Sequence, residues 1–180
     1  MKRFIIFFGL IISASILFAQ GNDENSALTK KERRDVEHEK EFQQIKSMLK
    51  NRNFVLQADY LQDQYGNRVL VSSTINFVAV DSTEATIQIG SNSGNGPNGV
   101  GGVTAKGKIM KWDLTEDSKN KAFTVNMNVM TMIGIYDLSI NIGASGKGSA
   151  ILTGTTMGSL TFDGNLVSWE KNTVFVGQQR

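Results

Sequence analysis

From Asn53 onward, apolar and polar side chains alternate with a period of two residues, and this pattern limits the possible folds more than any other feature of the sequence. It is clearest in segments 84–89, 123–129 and 136–142. Successive side chains of a β-strand point to opposite faces, so the alternation predicts strands with one buried and one solvated face. Such strands are typical of antiparallel sheets, because strands of buried parallel sheets read as continuous apolar runs.

The same pattern extends over the rest of the chain. In the first strand, Phe54, Leu56, Ala58 and Tyr60 are predicted to share one side. Further strands are predicted near 69–80, 103–112, 149–153, 159–169 and 173–176, with turn residues between them. About eight or nine short strands indicate a mainly β fold, an antiparallel β-barrel or a β-sandwich. The sequence does not choose between the two.

The N-terminal residues predict export. Lys2 and Arg3 precede an apolar run that ends at Ala19, as in a secretory signal peptide cleaved after that residue. A retained anchor is the alternative, but the run is shorter than the roughly 20 apolar residues that span a bilayer. We therefore predict a signal peptide over 1–19, a periplasmic or extracellular location and no stable membrane insertion after cleavage.

Residues 20–29 are predicted to be a disordered lead-in and 30–52 an N-terminal helix, followed by the β domain over 53–180. The helix is rich in Lys, Glu, Arg and Gln, and its second half carries an apolar stripe. This stripe, formed by Phe42, Ile45, Met48 and Leu49, predicts that the helix packs against the β domain. The charged first half is predicted to be solvated.

Charge and cysteine content exclude several classes of function. The formal net charge of +2 comes from 19 Lys and Arg against 17 Asp and Glu, and removal of Lys2 and Arg3 leaves 17 of each. A neutral mature chain has no electrostatic footprint for nucleic acid. The chain has no cysteine, so disulfides and cysteine-based metal sites are impossible. We predict no cofactor, no metal site and no catalytic residue.

A glycine-rich stretch at 90–102 contains a G-x-G-x-x-G sequence from Gly94 to Gly99. A dinucleotide site needs a helix after the glycines, because the helix N-terminus holds the pyrophosphate. Here a predicted strand follows at 103–109, so we interpret the stretch as a hairpin loop, either mobile or folded over a barrel mouth or a partner. Its candidate functional residues are Asn98, Gly99, Gly101, Gly102 and Thr104.

Other candidate sites are weak. The sole histidine, His38, lies in the charged helix, and Ser47-x-x-Lys50 lacks the companion motifs of penicillin-recognising enzymes. Asp113, Glu116 and Asp117 could contribute to a calcium site, although a simple hairpin turn is favoured. Asp81-Ser82-Thr83 resembles the acceptor used for periplasmic O-glycosylation, which makes Ser82 a possible modification site. Further carboxylates, Asp59, Asp63, Asp137, Asp163 and Glu170, could supply a glycosidase pair, but nothing in the sequence singles out two of them.

Several segments resemble a family of exported Bacteroidota proteins known as a domain of unknown function, DUF4251. They are 54–59, 76–80, 87–88, 98–104, 107–109 and 160–164, and the resemblance covers about Ser47 to Val176. The segment Asn98-Gly-Val-Gly-Gly-Val-Thr104 is its most specific part. The resemblance implies export and a shared β-rich fold, and it implies no activity, substrate or catalytic residue. It favours an ordered glycine loop over a mobile one.

Three functions remain open. The first is a non-enzymatic periplasmic or envelope β domain that binds an apolar ligand, a lipid or an envelope protein, with Trp112, Phe123, Tyr136 and Trp169 as candidate lining residues. It predicts a dry cavity of at least roughly 300 Å³ inside the sheet; an interior filled by side chains would leave surface binding. The second is a carboxylate-dependent glycan hydrolase with two acidic groups in one cleft. The third is a structural scaffold component with an exposed apolar patch or an open edge strand.

Overall fold

The computed structural model describes residues 29–91, 96–154 and 158–179. The predicted signal peptide and nearly all of the predicted lead-in lie outside these ranges. The elements are one α-helix, nine β-strands and a 3-10 turn at Trp169–Lys171: α1 Lys30–Lys50, β1 Asn53–Asp63, β2 Arg68–Leu70, β3 Phe77–Asp81, β4 Glu84–Ile89, β5 Val103–Asp117, β6 Ala122–Thr131, β7 Gly134–Ile142, β8 Lys147–Gly154 and β9 Ser159–Ser168. The mainly β prediction is confirmed.

Eight of these strands form a closed antiparallel barrel. Neighbours pair in the order β1-β3-β4-β5-β6-β7-β8-β9, and β9 pairs again with β1 from Phe54 to Asp63. This closing pair decides between the two predicted architectures, because a sandwich would leave two separate sheets with free edges. β2 is an extra strand that pairs with β1 over Tyr60–Gln62, on the same side of β1 as β3.

Two of the predicted strands are wrong in detail. The single strand predicted over 69–80 is split, because residues 73–75 form a turn between β2 and β3. The strand predicted over 173–176 is an irregular segment that lies on the outside of the barrel. It makes isolated contacts, such as the hydrogen bond from Phe175 N to Thr74 O, rather than a ladder.

The C-terminal segment covers a second, smaller apolar cluster on the outer face. Val55, Phe77 and Ala79 are buried there, and Val167 and Val174 pack against them. Gln57 Nε2 donates to Thr173 Oγ1 at 2.9 Å beside this cluster. β1 and β3 are consequently buried on both faces at this point, which explains the nearly continuous apolar runs 54–56 and 77–80.

The barrel interior is filled by side chains. An eight-stranded barrel is just wide enough for its inward side chains to meet. Within the described ranges the buried core comprises residues of the helix and of the barrel strands: Phe42, Ile45, Leu49, Phe54, Leu56, Ala58, Leu61, Val78, Val80, Ala85, Ile87, Phe123, Val125, Met127, Val129, Leu138, Ile140, Ile142, Ala150, Leu152, Phe162 and Leu166.

The helix closes one end of this barrel with its predicted apolar stripe. Phe42, Ile45 and Leu49 are buried, and the Phe42 ring stacks on Phe123 with 4.9 Å between ring centroids. Since Phe123 is the second residue of β6, the helix lies over the end at which β1, β4, β6 and β8 start. The packing predicted from the stripe is confirmed. No helical segment within the described ranges combines the length and hydropathy of a membrane span.

The start of the helix is set by a capping box formed by Thr29 and Glu32. Glu32 N donates to Thr29 Oγ1 at 3.3 Å, and Thr29 N donates to Glu32 Oε2 at 2.6 Å. These two bonds satisfy backbone donors that have no partner inside the helix. The bond from Thr29 N lowers the pKa of Glu32, since it favours the ionised carboxylate.

Two ion pairs join the helix to the hairpin between β5 and β6. Lys46 Nζ lies 2.8 Å from Glu116 Oε1, and Lys121 Nζ lies 2.7 Å from Glu39 Oε2. The hydrogen bond from Lys46 lowers the pKa of Glu116, and the bond from Lys121 lowers that of Glu39. A carboxyl group with a lowered pKa stabilises the fold fully above its ordinary value of 4.5, and this contribution is lost as the pH falls through the lowered value.

We therefore expect the melting temperature to fall as the pH is lowered from about 5 to about 3. The double variant Glu39→Gln, Glu116→Gln lacks both titrating groups and should lose less stability over the same interval. Circular dichroism melts of both proteins measure this difference. Equal losses in the two proteins would show that the helix pairs do not contribute.

Candidate functional site

The most specific sequence motif, Asn98 to Thr104, forms a hydrogen-bonded network centred on one amide side chain. Asn98 is buried, and its Oδ1 accepts from Val100 N at 3.1 Å and Gly102 N at 2.9 Å. Its Nδ2 donates to Ile89 O and to Thr104 Oγ1, each at 3.1 Å. The amide thereby connects the loop to Ile89, the last residue of β4, and to Thr104, the second residue of β5.

The network continues to the C-terminal segment through Gln88. Thr104 Oγ1 donates to Gln88 Oε1 at 2.9 Å, and Gly177 N donates to the same oxygen at 2.7 Å. Gln88 Nε2 donates to Ile75 O and Phe175 O. Gln88 and Thr104 are buried, so these bonds form away from solvent. The described part of the loop is therefore held to the barrel by hydrogen bonds, and its Asn98 side chain faces the protein.

The glycines of the motif are required by the backbone. Gly99 and Gly101 have φ values of +76° and +80°, a region that non-glycine residues rarely adopt. A Cβ at Gly102 would lie 2.1 Å from Ile89 O, closer than any side chain permits. The role of these residues in binding stays a prediction, whereas their part in shaping the loop is described by the geometry.

A strand, β5, begins directly after the glycines at Val103. The loop connects two antiparallel neighbours, as the hairpin interpretation predicts, and no helix N-terminus faces it there. The arrangement that holds a pyrophosphate is therefore missing at this position.

The end of the barrel opposite the helix, which we call the open end, carries an apolar pocket of about 270 Å³. Its apolar walls are formed by four side chains at this end of the barrel. Ile89 and Leu152 lie at or near the ends of β4 and β8, and Tyr136 and Leu160 lie near the starts of β7 and β9. Tyr65, in the turn after β1, borders the pocket and is 81 % exposed. The pocket is a surface depression above the filled interior.

Further exposed apolar side chains lie toward this end of the barrel. They lie in and beside the turn between β6 and β7 and in the segment after β1, and we call them the apolar rim: Tyr65, Val69, Leu70, Met130, Met132, Ile133 and Ile135. Met132, at the tip of its hairpin, is 90 % exposed. Connections 90–102, 132–133 and 155–158 contain no Asp, Glu, Lys or Arg. The helix end carries the ion pairs described above, whereas the open end has one carboxylate, Asp63, among the residues that line its pocket.

A second depression, the outer groove, lies on the outside of the barrel across β1, β8 and β9. It has a volume of about 320 Å³ and is lined by Asp59, Tyr60, Arg68, Lys147, Gly148, Asp163, Gly164 and Asn165. Asn165 Nδ2 donates to Asp59 Oδ2 at 3.0 Å, and Arg68 Nη2 lies 3.2 Å from Asp163 Oδ2. Two of the carboxylates that the sequence left unsorted thus share one groove.

A bulge in β1 creates this groove. The pairing of β1 with β9 shifts between Ala58 and Tyr60, so one extra residue is inserted. Ala58 and Leu61 point inward and are buried, whereas Tyr60 is 37 % exposed. The prediction that Tyr60 shares the inward face of Ala58 is wrong, because the bulge reverses the alternation at this point.

The aromatic residues predicted to line a ligand site have different surroundings. Phe123 is buried against Phe42 in the core. Trp112 packs against Phe54, with 6.3 Å between ring centroids, and the Arg52 guanidinium lies over the Trp112 ring. Tyr136 lines the open-end pocket. Trp169 is 41 % exposed, beyond the end of β9. Of the four, Tyr136 lies at a candidate site.

The remaining candidates stay separate. Asp117 accepts a hydrogen bond from Asn120 N and closes the β5–β6 turn, and Glu116 pairs with Lys46. These contacts correspond to the hairpin turn that the sequence favoured over a calcium site. Among the described residues, no three His, Cys, Asp or Glu side chains are placed to share a metal ion. His38 is exposed on the helix. Ser82 is exposed in the β3–β4 turn with φ +53°, and its glycosylation stays a prediction.

Sequence reasoning missed the outer groove, although one signal was present. Leu61 breaks the period of two set by Phe54, Leu56 and Ala58, and an apolar residue out of phase indicates a bulge. The pairing of β1 with β9 joins residues about 100 positions apart. No local pattern could therefore have brought Asp59 next to Asn165.

Comparisons with known proteins agree with this fold. A family model described as "Domain of unknown function (DUF4251)" matches residues 36–166. Among solved structures, the crystal structure of a DUF4251 family protein from Bacteroides eggerthii DSM 20697 is similar to the chain, with a TM-score of 0.63 and 22 % sequence identity. The match covers 75 % of this chain and 92 % of that one. A search of curated proteins gives no match.

Proposed function

This chain belongs to the DUF4251 family, whose description assigns no activity, and we propose that it is a non-enzymatic binding domain exported to the cell envelope. Its open end engages an apolar group of a ligand or partner, such as an acyl chain. The observation that carries this proposal is the apolar pocket together with the apolar rim at the same end of the barrel, where the glycine loop and two hairpin connections contain no charged residue.

The physical reason is the cost of leaving such a surface in water. Each Å² of apolar surface removed from water contributes about 25 cal/mol, and contiguous exposed apolar patches mark binding sites on soluble domains. The filled interior favours binding at the surface over an enclosed cavity. A pocket of about 270 Å³ suits one inserted chain or side chain rather than a whole large ligand.

Export is supported by the sequence, through Lys2, Arg3 and the apolar run that ends at Ala19. Native mass spectrometry of the protein recovered from its own cell envelope tests location and ligand together. We expect a chain that begins at Gln20 and carries an added mass. A full-length chain without added mass would contradict both parts of the proposal.

The binding surface is tested by variants of the rim. The double variant Tyr65→Ser, Met132→Ser removes two exposed apolar side chains and should weaken binding of submicellar dihexanoylphosphatidylcholine by about tenfold or more, since each buried side chain contributes over 1 kcal/mol. The matched control is Trp169→Ser, an exposed aromatic residue at the other end of the barrel. Heteronuclear NMR titration measures both affinity and location.

We expect saturable shifts at the Ile89, Tyr136 and Leu152 amides in wild type and in the control. Shifts spread over the outer strands, or equal affinity in the double variant, would refute the open end as the binding surface.

One observation favours a second candidate, a carboxylate-dependent glycan hydrolase: Asp59 and Asp163 line the same groove. A glycosidase needs one carboxyl group kept protonated, which enzymes achieve by burying it among apolar side chains. Asp163 instead pairs with Arg68, and both carboxylates are partly exposed. The groove therefore favours binding over hydrolysis, and release of reducing ends from a glycan, lost in Asp163→Asn, would reverse this preference.

A further inference from the structure

The outer groove has the construction of a binding site, since four strands contribute to it and a backbone irregularity shapes it. The bulge turns two consecutive residues, Asp59 and Tyr60, outward together. Bulges occur frequently beside functional sites, where they redirect side chains. Gly148 and Gly164 pair across β8 and β9 beneath these side chains, and a Cβ at Gly164 would lie 1.9 Å from Gln57 O. These two glycines contribute only backbone atoms to the lining of the groove.

Four of the polar side chains of the groove are paired with one another. Asn165 holds Asp59, and Arg68 holds Asp163, at the distances given above. The Arg68 guanidinium also lies over the Tyr60 ring, 4.0 Å from its centroid. Side chains fixed in this way lose little conformational freedom when a ligand binds, which lowers the cost of association.

The charges of the groove balance. Asp59 and Asp163 carry two negative charges, and Arg68 and Lys147 carry two positive ones. Within the described part of the chain, the Lys147 ammonium makes no hydrogen bond or ion pair. Two carboxylates repel a phosphate or sulfate, and two cations repel a metal ion. The lining thus selects a ligand that is uncharged and rich in hydrogen-bonding groups.

We propose that the outer groove binds a neutral saccharide. Sugar hydroxyl groups both donate and accept: they donate to the Asp59 and Asp163 carboxylates and accept from the Lys147 ammonium, and hydrogen bonds to charged groups are the stronger ones. The exposed part of Tyr60 packs against the C–H face of a sugar ring. Because the groove is open along the barrel wall, a segment of a longer glycan chain can lie in it.

A zwitterion such as an amino acid also has balanced charge, but it fits less well. Both of its charges would lose hydrating water on binding. Because Arg68 and Asp163 already pair with each other, the groove offers few new ion pairs to compensate for this loss of hydration free energy. A neutral sugar loses less hydration. The two ligand classes are separated by competition.

The test uses full-length protein and a panel of neutral hexasaccharides of glucose, mannose, galactose or N-acetylglucosamine. We expect at least one to bind with a dissociation constant of about 1 mM or tighter by isothermal titration calorimetry. Asp163→Asn and Lys147→Met should each weaken it by about tenfold or more. The matched control is Asp137→Asn, a carboxylate on the outer wall that bonds Asn128 outside the groove and should bind as wild type does.

Thermal melts test whether each variant is folded. Lys147→Met keeps the conclusion secure if Asp163→Asn is not folded, because Lys147 is exposed and its ammonium makes no hydrogen bond or ion pair with the described residues. No binding across the panel overturns the proposal. Displacement of the sugar by millimolar glycine assigns the groove to zwitterions instead, and undiminished affinity in Lys147→Met places the sugar elsewhere. These outcomes are independent of the open end, which lies on a different surface.

Discussion

We expect Phe42→Ala to lower the free energy of unfolding by about 3 to 5 kcal/mol, as large aromatic truncations in cores do. Phe42 is 5 % exposed and stacks on Phe123 at the helix end of the barrel. Its removal leaves a cavity that the barrel cannot close, because the strands around it are fixed by continuous hydrogen bonding. Urea unfolding followed by circular dichroism gives the value.

The control for this variant is Val36→Ala in the same helix. Val36 is 59 % exposed, so its truncation should change the stability by about 0.5 kcal/mol or less. Similar small effects for both variants would mean that the helix is a detachable addition to a barrel that is stable without it. A large effect for Phe42→Ala alone would show that the helix is part of the core. The helix would then permanently cover one end of the barrel and leave the open end accessible to a ligand or partner.

Asn98→Ala should lower the free energy of unfolding by about 2 to 4 kcal/mol, and the melting temperature by about 5 to 15 °C. The variant deprives two N–H groups and one carbonyl of their partner and disconnects Thr104 from the loop. Each buried polar group left without a partner costs about 1 to 3 kcal/mol, and water that enters the loosened loop recovers part of this. Differential scanning calorimetry measures the shift.

Asn126→Ala provides the comparison, since Asn126 is an exposed asparagine on the outer wall of β6. Its melting temperature should match that of wild type. If Asn98→Ala also melted at the wild-type temperature, the motif would not act through stability, and a direct part of these residues in binding would become the better explanation of the loop.

The fold was predictable as far as local periodicity reaches. The alternation in 123–129 and 136–142 identified β6 and β7, and the stripe of Phe42, Ile45 and Leu49 identified the buried helix face. The split of 69–80 into β2 and β3 was missed, because residues 73–75 read as part of a strand. Their turn is stabilised by Asn76, whose Nδ2 donates to Ser72 O and whose Oδ1 accepts from Gly90 N across the sheet.

The candidate sites were less predictable than the fold. The glycine loop was identified by composition. The hydrogen-bond network that holds it, however, depends on Gln88 and on Gly177 in the C-terminal segment, which lies 89 positions after Gln88. The open end became visible when antiparallel pairing placed the turn after β1 and the β6–β7 turn at the same end of the barrel. Exposed Tyr65 and Met132 are scattered residues in the sequence and one surface in the fold.

The sequence by itself determined the mainly β, antiparallel class of the fold, the buried face of the helix and the hairpin connection at the glycine loop, because these follow from side chains within a few residues of one another. Closure of β1 on β9, the bulge at Asp59 and the outer groove were decided by the tertiary structure. They depend on which distant strands meet and in what register, and register is fixed when all inward side chains fill one interior together.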